Sequence, residues 1–153
     1  MGILKCKSKI QEGKASSPIP MLTEYKATYT GFEMAVVDLI SIHREEKGLK
    51  GKLQRNDTLS SIALQHSQNM AFKHEISHKD FPKRVVLAQQ LASIDWLGEI
   101  IAGRYGTAKG VVNAWIRSEK HHEIMLSDKA KRIGISAEMS TNARLYITVL
   151  FSD

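Results

Sequence analysis

The sequence is poor in cysteine and in long apolar runs. Cys6 is the only cysteine among 153 residues, so no disulfide can form within the chain, and cysteine usage indicates no redox compartment. No run of 18 apolar residues is present, which excludes an obvious membrane-spanning helix. The N-terminus lacks an apolar stretch before a cleavage site, so the sequence predicts no secretory signal in this chain.

The charge is basic but spread along the chain. The formal net charge is +6, and residues 1–30 carry five Lys against two Glu. No Lys/Arg run is interleaved with aromatic residues, so no nucleic-acid partner is expected. Residues 1–30 are also polar and aperiodic, so we expect them to form a basic N-terminal arm. One domain is expected at residues 31–153, because the apolar fraction of 42% is enough for a core.

Helical and strand periodicities divide the domain into elements. Apolar residues at helical spacing predict four helices, which begin at Gly31, begin at Asn56-Asp57, span 81–91 and follow a cap at Thr107. Alternating apolar residues predict strands at 133–139 and 145–151, joined as a hairpin, and an apolar run predicts a strand at 96–101. The order of these elements predicts an α+β fold in which helices flank a sheet.

One zinc-binding motif is matched letter by letter. The segment His74-Glu75-Ile76-Ser77-His78 fits H-E-x-x-H, in which two histidines one helical turn apart bind zinc and the glutamate acts as general base. Glu99 follows at a distance suitable for a third ligand. However, the apolar face of the second helix ends near Met70–Phe72, and His74 falls in a polar stretch. A metal-dependent peptidase is therefore the least favoured alternative.

The other histidines and the two tryptophans are interpreted as structural. His66 lies on the apolar face of the second helix and is expected to be a core histidine that bonds to backbone. His43 and His122 are expected to face solvent. Trp96 and Trp115 are expected in the core. Neither a nucleophile elbow nor a glycine-rich phosphate loop is present, so serine-nucleophile and nucleotide chemistry are not expected.

Three ionisable residues remain at the ends or edges of apolar elements: His78, Glu99 and His121. A titrating side chain at such a place needs a partner, and the simplest partners are each other. We therefore predict that they meet in one polar site. Two imidazoles and one carboxylate can bind zinc or another divalent cation, with water in the open position. They can equally form a hydrogen-bonded cluster without metal, and their spacing does not decide between these roles.

Short segments in a fixed order carry a resemblance to a known family. They are Arg44 with Gly48-Leu49, His66-Ser67 with Met70-Ala71, Ser77-His78 with Asp80-Phe81 and Arg84, Gly98-Glu99 with Ala102-Gly103, Trp115 with Ser118 and His121, Ile133-Gly134-Ile135, and Tyr146 with Phe151-Ser152. Together with the first predicted helix, they cover about residues 31–153. The chain resembles the CAP superfamily of cysteine-rich secretory, antigen 5 and plant pathogenesis-related proteins, and is most similar to its short, cysteine-poor bacterial members, called SCP-like.

The resemblance implies a three-layer α-β-α sandwich with a cleft. It implies that His78, Glu99 and His121 belong to a cleft tetrad of two histidines and two acidic residues, which binds divalent cations in some members of the family. It also implies that the second helix ends before the Ser-His pair, so that His74 and His78 would not share a helical face. That expectation counts against the peptidase.

The chain departs from the family pattern at two cleft positions. The fourth tetrad member falls near Ser118, where animal-type members have Glu, and the adjacent Glu119 is expected to point elsewhere. Ile100 stands where the family usually has Asn. The first departure weakens the case for a complete metal site, and the second indicates a relaxed functional constraint on the cleft.

The resemblance also bears on function and location. It implies a non-enzymatic binding protein, extracellular or periplasmic, whose cleft takes a divalent cation or a small ligand and whose partners include lipid or membrane surfaces. The alternative is a structural component of a larger assembly, such as a virion or a surface complex, anchored to a protein partner by residues 1–30.

Overall fold

The computed structural model describes residues 30–153, in which helices cover both faces of a mixed sheet. The helices are α1 (Gly31–Glu46), α2 (Asp57–Lys73), α3 (Phe81–Ala92), α4 (Ala108–Arg117) and α5 (Glu119–Met125). The strands are β1 (Gln54–Arg55), β2 (Leu97–Gly103), β3 (Arg132–Met139) and β4 (Leu145–Ser152). The predicted α+β class is confirmed. The predicted N-terminal arm lies outside the described residues, apart from Thr30.

The sheet has the strand order β1-β3-β4-β2. Strands β3 and β4 pair antiparallel, as the hairpin prediction requires, and β4 pairs antiparallel with β2. Strand β1 runs parallel to β3 for only two residues, Gln54 and Arg55, which are both exposed. Two exposed residues carry no apolar alternation, so the sequence did not reveal this strand. Strand β2 lies at one edge of the sheet, and all seven of its residues are buried.

The helices form one layer on each face of the sheet. Helices α1 and α4 pack on the face that presents Ile100, Ile135 and Val149, together with the buried Trp115. Helices α2 and α3 pack on the opposite face, where Leu150 is fully buried. The predicted three-layer α-β-α sandwich is thus confirmed. Within the described residues, no helix is both long enough and apolar enough to cross a membrane.

Helix α2 approaches the sheet closely because small residues face each other. A Cβ atom added at Gly134 of β3 would lie 2.4 Å from the backbone of Leu59 and Ser60. Further along the same helix, the hydroxyl of Ser67 donates to the carbonyl of Ser136 at 3.0 Å and lies 2.8 Å from the hydroxyl oxygen of Thr148. Because these polar groups satisfy each other, they can be buried at little cost.

Capping residues set the ends of the helices. The predicted caps Asn56 and Thr107 accept hydrogen bonds from Leu59 and Gly110 at the starts of α2 and α4. Helix α2 stops at His74, whose φ of 54° and ψ of 31° are left-handed. The chain then enters the loop that connects α2 to α3.

Candidate functional site

The loop between α2 and α3 brings His78 onto a buried carboxylate of the edge strand. Nδ1 of His78 lies 2.9 Å from Oε1 of Glu99 on β2. The side chain of Glu99 is only 1% exposed, whereas that of His78 is 51% exposed. Glu99 therefore forms the floor of the site, and His78 stands at its mouth.

Arg84 of α3 holds the same carboxylate from the other side. Its Nε donates to Oε2 of Glu99 at 2.6 Å, and its Nη2 donates to Oε1 at 2.7 Å. Its Nη1 also donates to the carbonyl of Lys79 at 2.8 Å. Such a two-point contact between guanidinium and carboxylate fixes orientation as well as charge.

These contacts keep Glu99 ionised in spite of its burial. Burial opposes ionisation of the carboxyl, but the hydrogen bonds from His78 and Arg84 and the charge of Arg84 outweigh it and lower the pKa of Glu99. At neutral pH the buried carboxylate is therefore charged, and it can act only as an acceptor.

A break between two helices places His121 beside His78. Ser118 ends α4 and caps α5 with extended backbone (φ −90°, ψ 114°), and its hydroxyl accepts from the amide of His121. The imidazole ring of His121 lies with its centroid 6.1 Å from that of His78, tilted by 54°. Burial, followed by the charge of His78, lowers the pKa of His121, which favours a neutral ring. The three residues predicted to share a site therefore do so.

A cavity of about 350 Å³ opens beside His121. Its lining is mostly apolar and consists of Ile76, Ile101, Ala102, Gly103, Tyr105, Ala114, Trp115, Ser118 and His121. The indole N–H of Trp115 is not available to a ligand, because it donates to the carbonyl of Ile101 at 2.9 Å. The cavity is thus mostly apolar, and Tyr105, Ser118 and His121 are the polar side chains in its lining.

A metal ion at this site would have to be held by the imidazoles rather than by the carboxylate. Both oxygens of Glu99 already accept hydrogen bonds, and nowhere in residues 30–153 do three His, Cys, Asp or Glu side chains form a ready ligand set. Two imidazoles on one tetrahedral zinc, with Zn–N bonds of about 2.0–2.1 Å, have ring centroids about 5 Å apart. The centroid separation of His78 and His121, 6.1 Å, is close to that spacing.

Comparison with known proteins places this chain in a family. The family model described as the cysteine-rich secretory protein family, CAP, matches residues 37–151. The chain belongs to the CAP family. The match takes in all of the described helices and strands except the start of α1 and the last residue of β4.

Two of the proteins similar to this CAP domain come from Bacillus subtilis and Borrelia burgdorferi. The protein YkwD of Bacillus subtilis (strain 168) is 31% identical over 121 residues, which cover 74% of this chain and 45% of YkwD. The chain therefore spans less than half the length of that relative. An outer surface protein from Borrelia burgdorferi shares the fold with a TM-score of 0.71 and 24% identity, covering 84% of this chain and 98% of the Borrelia chain.

A longer protein contains the same fold as one part. An extracellular protein with an SCP domain from Bacillus anthracis aligns with a TM-score of 0.65 and 20% identity, covering 83% of this chain and 45% of its own. At this identity the likeness establishes the fold alone.

The H-E-x-x-H interpretation of the CAP domain is wrong. His74 is the residue after α2, not a residue within it, and its ring lies 3.5 Å from the hydroxyl of Thr141 in the β3–β4 turn. His78 lies in the following loop against Glu99. Because the two histidines do not share a helical turn, Glu75 cannot serve between them as the general base of a zinc peptidase.

The expectation that His43 and His122 face solvent is also wrong. Their Nε2 atoms lie 2.8 Å apart, so one ring donates and the other accepts. The side chain of His43 is only 12% exposed. The break at Ser118 turns α5 back against α1, and this brings the two histidines together. No local sequence pattern signals a contact between residues 79 positions apart.

Two further residues anchor the loop that carries His78. His66 is 4% exposed, and its Nε2–H donates to the carbonyl of Ser77 at 2.6 Å, which confirms the predicted core histidine. The sequence did not assign a role to Arg84, although Arg84 was part of the family resemblance. An arginine that binds a buried carboxylate 15 residues away has no local signature.

Proposed function

We propose that this chain is a non-enzymatic CAP-domain binding protein whose cleft takes one divalent transition-metal ion, zinc first, between His78 and His121. The observation that carries the proposal is the pair of imidazole rings with centroids 6.1 Å apart. Glu99 supports it by accepting from Nδ1 of His78. A metal-binding histidine commonly donates its other N–H to a carboxylate. In this arrangement Glu99 orients a ligand instead of being one.

The chemistry favours zinc over calcium or magnesium. Imidazole nitrogen suits zinc, copper and nickel, whereas calcium and magnesium need oxygen ligands. An ion held by only two imidazole nitrogens would keep open coordination positions. His121 also lines the apolar cavity, so a small ligand in the cavity could complete the coordination. The presence of Ser118 in place of Glu is consistent with such an incomplete protein ligand set.

Zinc titration by calorimetry tests this proposal. Wild-type protein should bind one zinc ion per chain, and H78A and H121A should each abolish the binding. H74A and H43A are matched controls, because each removes one imidazole elsewhere, and both should bind like wild type. Loss of binding in H74A, or unchanged binding in H78A and H121A, would overturn the proposed site.

The binding should weaken in acid. Ligand imidazoles must be neutral, so protons compete with the metal. Because burial lowers the pKa of His121, that ligand stays neutral to a lower pH than an ordinary histidine. We expect the zinc affinity to be constant near neutral pH and to fall below about pH 6. Calorimetric titrations from pH 8 to pH 5 measure this, and an affinity that rises in acid contradicts it.

We further propose an extracellular or surface location. Two proteins with this fold are described as an outer surface protein and as an extracellular protein. Exposure of the tagged chain to protease added to intact cells tests the location. Digestion of the CAP domain while a cytoplasmic marker survives supports it, and protection of both contradicts it.

A second proposal gives residues 1–30 a role in assembly. This segment carries five Lys against two Glu, which suits an acidic protein or lipid surface. We expect the full chain to form complexes of high mass in light scattering. Deletion of residues 1–28 should remove these complexes and leave the zinc affinity of residues 30–153 unchanged. Unchanged assembly after the deletion would exclude this role.

A further inference from the structure

One guanidinium contacts both partners of the hydrogen bond between His78 and Glu99. Arg84 is 8% exposed and donates to both oxygens of Glu99. The same side chain donates to the carbonyl of Lys79 at 2.8 Å and approaches the carbonyl of His78 at 3.5 Å. It therefore ties the carboxylate on β2 to the backbone of the loop that carries the imidazole.

We propose that Arg84 is a positioning residue that sets the tautomer of His78, with the proton on Nδ1 and the lone pair on Nε2. Glu99 is held as an ionised carboxylate with both oxygens fixed by Arg84, so it can only accept a hydrogen bond. The atom that faces it, Nδ1 of His78, must then carry the proton. A neutral imidazole has only one N–H, so Nε2 keeps its lone pair and can act as an acceptor or a metal ligand.

Because His78 is exposed, its ring needs a residue that positions it. Its side chain is 51% exposed, so packing alone does not fix the ring. Two anchors hold the loop: His66 through the carbonyl of Ser77, and Arg84 through the carbonyl of Lys79. Only Arg84 also fixes the carboxylate that the ring must meet. Lysine cannot replace it in full, because an ammonium group is a point charge without the planar fork of a guanidinium.

The ring nitrogens report this role directly. We would label His78 with ¹⁵N and record its ring shifts in EDTA at pH 8. In wild-type protein, Nδ1 should give a pyrrole-type shift and Nε2 a pyridine-type shift. In R84M both shifts should move towards the average of two exchanging tautomers, and R84K should restore part of the difference.

A matched variant separates this role from general support of the fold. Arg132 also donates to backbone carbonyls, those of Asp153 and Ala92, at 2.6 and 2.8 Å, and its hydrogen bonds within residues 30–153 do not reach His78, Glu99 or His121. R132M should therefore lose stability without any change in the ring shifts of His78. Wild-type ring shifts in folded R84M would overturn the proposal, and so would an equal change in R132M.

A second variant covers the case in which R84M does not fold. Removal of Arg84 alone leaves a buried carboxylate without its cation, which is strongly destabilising. R84M/E99Q removes both charges together. Its neutral amide can either accept from the ring or donate to it, so His78 should populate both tautomers. A single Nδ1–H tautomer in this double variant would overturn the proposal as well.

The consequence for metal binding rests on the proposed function, and the experiment keeps the two apart. If His78 and His121 bind zinc, loss of the orienting contact in R84M should weaken the affinity by about 10–100-fold. If wild-type protein binds no zinc while the ring shifts still change in R84M, the proposed function fails and the role of Arg84 stands. If zinc binds and the ring shifts do not change, the role of Arg84 fails alone.

Discussion

At the scale of single residues, Gly134 sets how closely α2 approaches the sheet. Its missing Cβ would lie 2.4 Å from backbone atoms of Leu59 and Ser60, which cannot move aside as a side chain can. We expect G134A to lower the free energy of unfolding by about 3 kcal/mol, the upper part of the range for overpacked cores. Urea unfolding measures this.

Gly31 offers a control for the loss of glycine itself. A Cβ added there meets nothing within 4 Å, so G31A should leave the free energy of unfolding unchanged or slightly higher. Equal stability of G134A and G31A would show that α2 can shift away from β3, which the contacts of Ser60 and Ser67 with the sheet argue against.

Residues differ in how far sequence alone reveals their roles. His66 was predictable, because its position on an apolar helical face already demands a hydrogen-bond partner. Arg44 was not. It is 5% exposed, and its guanidinium donates to the carbonyls of Met125, Ser127 and Ala130. An arginine is normally exposed, and partners more than 80 positions away leave no mark on the local pattern.

At the scale of elements, Glu33 joins the start of α1 to β3. One of its carboxylate oxygens accepts from the amide of Thr30 at 2.9 Å, completing a capping box, and the other accepts from the amide of Ala137 at 2.8 Å. We expect E33Q to lower the free energy of unfolding by about 2 kcal/mol, because one amide nitrogen would then face a backbone N–H.

Thr30 provides the comparison for that helix start. T30A removes the hydroxyl that accepts from Glu33 but keeps both contacts of the carboxylate, so it should cost only about 1 kcal/mol. Thermal unfolding of the two variants under the same conditions measures the difference. A larger loss in T30A than in E33Q would mean that the contact with Ala137 contributes little.

Elements with a regular pattern were predictable, and elements set by one residue were not. The starts of α1, α2 and α4 followed from apolar spacing and capping residues. The break between α4 and α5 did not, because it depends on the extended backbone of Ser118 alone. That break is what turns His121 towards His78 and His122 towards His43. The position of His121 in the site therefore depends on a feature that hydrophobic periodicity does not reveal.

At the scale of the whole molecule, the layers followed from the order of helices and strands, whereas the polar network inside them did not. The need for a partner was enough to predict that His78, Glu99 and His121 share a site. It could not show that Arg84 satisfies Glu99 as well, or that His43 and His122 satisfy each other. Desolvation requires that buried polar groups be paired, but it does not specify which pairs form.

Buried histidines should make the whole fold sensitive to acid. Burial is the main reason why the pKa values of His43, His66 and His121 lie below 6.5, the value of an unperturbed histidine. The unfolded chain therefore binds more protons than the folded one just below pH 6.5. Stability then rises with pH in this window, so acidification from pH 7 to pH 5 should lower the free energy of unfolding, by at most about 1.4 kcal/mol per pH unit for each imidazole.

Replacement of one imidazole isolates this effect from other titrations. Burial and Glu33 raise the pKa of Glu138, so that its protonation favours the folded state in acid and partly opposes the histidines. We therefore compare slopes between variants. H66Q keeps a donor for the carbonyl of Ser77 but cannot titrate, so its unfolding free energy in EDTA should fall less steeply between pH 7 and pH 5. The difference is expected because a buried neutral imidazole must gain its proton when the chain unfolds in acid. If the slope of H66Q equals that of wild type, His66 does not contribute to the acid sensitivity.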